Sequence, residues 1–224
     1  MPEVLVTDGV REVPRNLPSQ LALAWNTSDV TQIEASGKNL LVYFWQPSAA
    51  FGLALAEAKL AGMLPEMREK FSLEGIHHYF ARDHGLLLNT LFMELKPCID
   101  FIIQSGFGRE FQLTLARPAD QMCPIFHVDK VSLRLIVTLH GPGTEWLANQ
   151  DVDRKRLGKG SNRRVVREGA LIQQLKTFQV GILKGEEYPG NFGNGLVHRS
   201  PEPEPGAGPR WIFRLDSFRK SGRR

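Results

Sequence analysis

The peptide Cys123-Pro124-Ile125-Phe126-His127-Val128-Asp129 sets an imidazole and a carboxylate two residues apart. On a β-strand, residues i and i+2 point to the same face, so His127 and Asp129 would project together with Val128 opposite. Such a pair supplies two ligands for a divalent metal; the plainer reading is a hydrogen-bonded pair without one. A second histidine, His198, follows much later in Gly195-Leu196-Val197-His198-Arg199-Ser200-Pro201, far enough from His127 for several strands to intervene. Beyond His198 come Arg210 and then Arg214. A guanidinium fork suits a carboxylate, but either arginine could equally face solvent or pair with Glu202 or Glu204.

These residues need a scaffold, and the chain changes character near Arg109. Before that point the patterns are mainly helical. Residues 48–71 carry apolar side chains at three- and four-residue spacing, with Pro65 expected to kink or split the helix. Residues 83–103 have a broad apolar face that Pro97 is expected to interrupt. Residues 39–45 read as a short strand. After Arg109 the runs become strand-like: 110–116, 125–131, 133–139, 144–147, 178–183, 195–199 and 210–218, separated by Gly- and Pro-containing turns. Seven or eight such strands predict an antiparallel barrel or jelly roll. The expected fold is α+β in a single domain (1–224): a mainly helical portion (1–108) packed on a barrel portion (109–218), then a basic tail (219–224). The stretch 151–169 reads as a long insertion, and the Pro-rich 201–209 as a loop between strands.

Composition narrows the function class. With 224 residues, 42% hydrophobic and 23% charged, the chain is neither disordered nor collagen-like. No apolar run approaches the roughly 20 residues of a membrane span, and no export signal is visible, so a cytoplasmic setting without membrane contact is expected. Cys98 and Cys123 cannot form a disulfide framework. The net charge is +4, with seven Lys or Arg in 154–167 and six in 210–224. Such blocks suit an anionic small molecule or nucleic acid, or are simply solvated. The first block lacks interleaved aromatics, which argues against single-strand nucleic acid binding. No zinc finger, P-loop or dinucleotide fingerprint is present.

The order HxD, a distal His on a late strand, then Arg on the final strand resembles the iron(II)/2-oxoglutarate oxygenases. The resemblance spans residues 110–218 and implies a double-stranded β-helix. It implies His127, Asp129 and His198 as metal ligands, with Arg210 or Arg214 gripping the far carboxylate of 2-oxoglutarate. Two His and one carboxylate occupy one face of an octahedral ion and leave the other open. A closer resemblance, carried by CPIFHVDKVSLRLIVTLHGPGTEWL, ILKGEEYPGNFGNGLVHRSP and RWIFRLD, is to the bacterial domain-of-unknown-function family 1826. The leading expectation is therefore an iron(II)/2-oxoglutarate-type oxygenase. The alternatives are a non-catalytic, cupin-like zinc or iron protein of metal homeostasis, and a nucleic-acid-binding protein.

Other residues complete the candidate site. Lys184 precedes the Gly- and Asn-rich loop 188–195 that leads into His198, so Lys184, Tyr188 and Asn191 are candidate walls or substrate contacts. Trp146 is either core or a substrate platform. Counting by two from Asp129 puts Arg134 on the opposite face, unless a bulge near Ser132 reverses it. Cys123 reads as a small buried residue, or as a zinc ligand beside His127 and His198. His77, His78 and His84 read as a helix start or loop rather than a second metal site.

Overall fold

The computed structural model describes residues 6–7, 10–11, 17–118, 121–203 and 208–219. Two short strands, β1 (Val6–Thr7) and β2 (Val10–Arg11), pair with each other. Next come β3 (Leu21–Ala24), a 3₁₀ helix (Thr27–Glu34), β4 (Leu40–Phe44), α1 (Ala49–Leu60), β5 (Met67–Ser72), α2 (Leu73–Phe80) and α3 (Leu86–Gln104). The remainder holds β6 (Glu110–Ala116), β7 (Leu133–His140), β8 (Glu145–Trp146), α4 (Asn162–Val165), β9 (Gln173–Gln174), β10 (Gln179–Lys184), β11 (His198–Arg199) and β12 (Trp211–Phe218). Residues 204–207, the middle of the Pro-rich loop, and 220–224 of the basic tail lie outside the described residues.

The large sheet runs β3-β4-β10-β7-β12-β6-β5, antiparallel except where β3 meets β4. A small sheet runs β11-β8-β9, and an isolated bridge adds His127 beside His198. From β6 onward the chain passes back and forth between the two: β6 large, His127 small, β7 large, β8 and β9 small, β10 large, β11 small, β12 large. This is a mixed α/β architecture with a jelly-roll-like path.

The portion 1–108 departs from the helical expectation by contributing β3, β4 and β5 to the large sheet. Helix α1 stops before Pro65 is reached. Gly62 adopts φ +68°, its N–H donates to Lys59 O, and the N–H of Met63 donates to Ala58 O; this Gly-centred cap ends a helix. The freed segment Met67–Ser72 then pairs along β6, from Met67↔Leu115 to Ser72↔Glu110, with Met67 and Phe71 packed on the core. Helix α3, by contrast, runs straight through Pro97. An interior proline costs about 3 kcal/mol. Fully burying one Leu or Ile offsets about 1.5–3 kcal/mol, and α3 buries Leu91, Leu95, Ile99, Ile102 and Ile103. The carbonyl that Pro97 leaves unpaired belongs to Met93, which is 74% exposed, so water can satisfy it.

The two faces of the large sheet have different partners. Leu113, Leu133, Leu135, Val137, Phe213 and Leu215 join the cluster built with α1 and α3. Leu40, Val42, Ile136 and Leu183 face the small sheet and pack with Trp146 and Leu196. The outer face of the small sheet is covered too: Phe126, Leu147 and Val197 pack with Val152 and Val165. The insertion is thus not a structureless loop. It folds into short turns and α4, closed by a Val152↔Val166 bridge, with Lys155, Arg156, Lys159, Arg163 and Arg164 pointing outward. Among the described residues, no helix is long and apolar enough to cross a membrane.

Candidate metal centre

His127 and His198 are brought together by backbone pairing. Each N–H donates to the other's carbonyl at 3.0 Å. Directly opposed residues of an antiparallel pair share a face, and the two imidazole centroids lie 4.6 Å apart. Asp129 follows two residues after His127 and reaches the same face. Its Oδ2 lies 3.0 Å from His198 Nε2, and its Oδ1 lies 3.6 Å from His127 Nε2. One ligand atom from each residue falls within 4.8 Å of the others. Adjacent ligands of an octahedral ion with metal–ligand bonds of ~2.1 Å stand ~3 Å apart.

The two rings are oriented by their own strands. His127 Nδ1 lies 2.8 Å from Ile125 O, and His198 Nδ1 lies 3.0 Å from Leu196 O. A carbonyl oxygen only accepts, so Nδ1 is assigned the hydrogen and Nε2 presents its lone pair toward Asp129. With Nε2 of each ring facing Asp129, either a proton on Nε2 or a metal ion shared with the carboxylate satisfies the contact. The donor set therefore fits a divalent metal ion. Burial opposes the charge of Asp129, but His198 and Arg134 hold its carboxyl well below the usual range. Burial likewise opposes protonation of His127, yet the hydrogen bonds that the doubly protonated ring makes to Asp129 and Ile125 outweigh it and raise its pKa.

Arg134 lies on the ligand side, not opposite Asp129 as counting by two from Asp129 gives. Residues 129 and 134 are not on one continuous strand: the chain crosses from the small sheet to the large one between them. That crossing is fastened by Ser132 N–H to Ser217 O, Gly185 N–H to Ser132 O and Glu186 N–H to Asp129 O. The close approach requires glycine, since a Cβ at Gly185 would collide with Val131 O and Asp129 O. Arg134 donates through Nε and Nη2 to the two oxygens of Asp216, at 2.6 and 3.0 Å. Its Nη1 donates to Asp129 Oδ2 and stands 3.4 Å from His198 Nε2.

The two later arginines differ in what they hold. Arg210 donates from Nε to Pro142 O at 2.7 Å and from Nη2 to Thr138 Oγ1 at 3.4 Å, which ties it to the turn after β7. Burial lowers its pKa to about 10. A register shift between Trp211 and Ile212 separates it from the alternation of β12. Arg214 sits on the inner face with Asp216. Its Nε is 3.1 Å from Asp216 Oδ2, but the N–H is not aimed at that oxygen and has no hydrogen-bond partner among the described residues. The residue opposite, Thr114, also has a buried hydroxyl without a partner among them.

Lys184, Tyr188 and Asn191 are held by other contacts. Lys184 Nζ donates to Ala35 O at 3.2 Å and lies over the Tyr188 ring, which belongs to the helix-side core. Asn191 donates to Gly185 O at 3.0 Å. Trp146 is buried opposite His198 in register, with its Nε1 unpartnered among the described residues. Cys123 is exposed rather than buried and is not in the ligand group, so a thiolate route to zinc loses its ligand. His77 and His78 lie in the last turn of α2 rather than at a helix start, and His84 in the loop that follows; His78 and His84 contact the backbone oxygens of Glu74 and Tyr79, and the His84 ring packs tilted on Tyr79.

Sequence reasoning missed Glu186, whose carboxylate accepts from Gly193 N–H at 2.7 Å and Gly195 N–H at 3.0 Å. Glu186 thereby fastens the loop before His198 to the segment bearing Asp129. It also missed Thr114 and the pairing of Asp216 with Arg134. The alternation of 110–116, 133–140 and 211–218 held the sequence signal for Thr114 and the Asp216–Arg134 pair, and it required the strand register.

The fold and site define a jelly-roll-like protein with a His-Asp-His constellation able to hold a metal. Residues 53–216 match the family described as protein of unknown function (DUF1826), and the chain belongs to that family. No curated protein matches the chain. Solved structures similar to it include a dioxygenase for auxin oxidation from rice, 10% identical, covering 81% of this chain and 74% of that one, with a TM-score of 0.48. HygX from Streptomyces hygroscopicus, solved with iron bound, is 10% identical, with 88% of each chain covered and a TM-score of 0.47. A Pseudomonas putida prolyl-4-hydroxylase is 8% identical, covering 88% of this chain and 100% of that one, with a TM-score of 0.44. At these scores the likeness assigns neither substrate nor reaction.

Proposed function

We propose that this protein is an oxygenase of the iron(II)/2-oxoglutarate type. One observation carries the reading: two imidazoles with Nδ1 pinned to backbone carbonyls and one carboxylate converge on a single point. Two His and one carboxylate with open positions opposite is the ligand set of non-haem iron(II) oxygenases. In this reading the two sheets close as a double-stranded β-helix barrel within a single domain, with the helices of the portion 1–108 packed outside.

His127, Asp129 and His198 hold the metal. Bound there, iron(II) would supply the activation of dioxygen that oxidation of 2-oxoglutarate drives. Arg214 is the better clamp for the far carboxylate of 2-oxoglutarate, because, although it is paired in charge with Asp216, its Nε–H and the neighbouring Thr114 hydroxyl lack hydrogen-bond partners among the described residues. A bidentate guanidinium suits that group. Arg210 is the weaker clamp, since its Nε is committed to Pro142 O. Trp146, with an unpartnered Nε1 in register with His198, lines the chamber where a small, anionic or otherwise polar substrate would lie.

The test is anaerobic titration of iron(II) and then 2-oxoglutarate, watching for a visible metal-to-ligand charge-transfer band. The band is expected in the wild type, lost in His127→Ala and weakened more in Arg214→Ala than in Arg210→Ala. Stoichiometric zinc on purification, with no band on iron loading, would overturn the oxygenase in favour of a non-catalytic metal protein.

A further inference from the structure

We propose that Arg134 is a positioning residue for Asp129 and limits that carboxylate to one bond with the metal. The inference rests on the reading of His127, Asp129 and His198 as a metal site. Arg134 is 7% exposed on the inner face of β7, and Asp216 stands directly opposite it on β12. Asp216 grips one edge of the guanidinium through both its oxygens. The group is rigid and planar, so fixing one edge aims the other. The aimed nitrogen, Nη1, donates to Asp129 Oδ2. Asp129 Oδ1 is left on the His127 side, 3.6 Å from Nε2.

A carboxylate with both oxygens free can hold a metal through one or both. One whose second oxygen accepts a charge-assisted hydrogen bond is held to one. The difference sets how many octahedral positions stay open, about three rather than two. Asp216 also answers an electrostatic problem. A buried guanidinium beside a divalent ion would repel it, and the carboxylate on its far edge offsets that charge. The arrangement thus fixes the ligand carboxylate without placing an uncompensated cation next to the metal.

The probe is Mn(II) alone. Its stoichiometry and affinity are read by electron paramagnetic resonance, and its exchangeable waters by water-proton relaxation. The wild type is expected to bind one Mn(II). In Arg134→Gln one Mn(II) still binds, with equal or tighter affinity, and the relaxation enhancement falls by about a third as one water position is lost. Arg134→Lys, which keeps the charge but lacks the planar fork that Asp216 aims, shows the same loss as Arg134→Gln. The double variant Arg134→Gln/Asp216→Asn removes both buried charges together, so it decides the question if the single variant does not fold. It is expected to lose the same third. Wild-type enhancement in a folded Arg134→Gln or double variant would make Arg134 a packed ion pair and overturn the proposal. A folded wild type that binds no Mn(II) would overturn the metal site itself, a distinct result.

Discussion

A histidine becomes a ligand when its second nitrogen is occupied, and here a carbonyl two residues back does that for both rings. The pair His127 and Asp129 was legible from its spacing, because period two survives wherever a strand stays straight. Arg134 was legible only as the alternative of a reversal near Ser132, because its face is set by the crossing there from one sheet to the other. The cysteines show the same limit in a simpler form. Cys98 falls on the helical stripe of Leu91, Leu95 and Ile102 and lies in the core of α3, whereas Cys123, expected to be buried, lies at the surface. Burial pushes the Cys98 thiol up to about 12. The thiolate is the reactive form, so one thiol per chain should react rapidly with a disulfide reagent at pH 8, and the second only after unfolding. Two fast thiols in the native protein would mean that the α3 core opens readily.

At the scale of elements, the strands from β6 to β12 were readable because alternation and Gly/Pro turns agree there. Segment Met67–Ser72 was not, since Met, Arg, Glu, Lys and Phe suit a helix as well as a strand. Its conformation is decided by the exposed edge of β6 and by the cap at Gly62. The basic insertion also hid its role. Asn162 in α4 accepts from Phe126 N–H at 2.7 Å and donates to Pro124 O at 2.7 Å, so one side chain pairs the backbone just before His127. That segment stands at the edge of the small sheet, with no further strand beyond it among the described residues. Asn162→Ala leaves both backbone groups to water and should lower stability by about 1–2 kcal/mol. It should also weaken metal binding by up to about tenfold, in the range of lost outer-shell support. Urea denaturation and Mn(II) titration read the two effects. Unchanged metal affinity would mean that His127 is placed by its pairing with His198 alone.

At the scale of the molecule, the site is where the two sheets meet. His127 and His198 belong to the small sheet, Asp129 to the segment leaving it, and Arg134 and Asp216 to the large sheet. None of these long-range neighbours can be read from local pattern. Only the order of strands, and hence the jelly-roll-like path, makes residues 129, 134, 198 and 216 adjacent. A cation bound there ties together two segments, 127–129 and the one bearing His198, that an unfolded chain would hold far apart, so binding must favour the folded state. For a ligand that binds only the native protein, stability rises by RT ln(1 + [L]/Kd), about 2.7 kcal/mol at a hundred times Kd. Metal should therefore raise the unfolding temperature by several degrees, on the order of 2–4 °C per kcal/mol for a chain of this size. The rise should continue with the logarithm of metal concentration rather than saturate at one equivalent. His198→Ala should abolish the rise while leaving the secondary structure seen by circular dichroism intact, because its backbone pairing with His127 does not use the ring. A wild-type unfolding temperature indifferent to iron(II), manganese(II) and zinc would show that the three side chains do not hold a metal in the folded protein. The Arg134 guanidinium, already bonded to Asp129 and 3.4 Å from His198 Nε2, would then be their lasting cation.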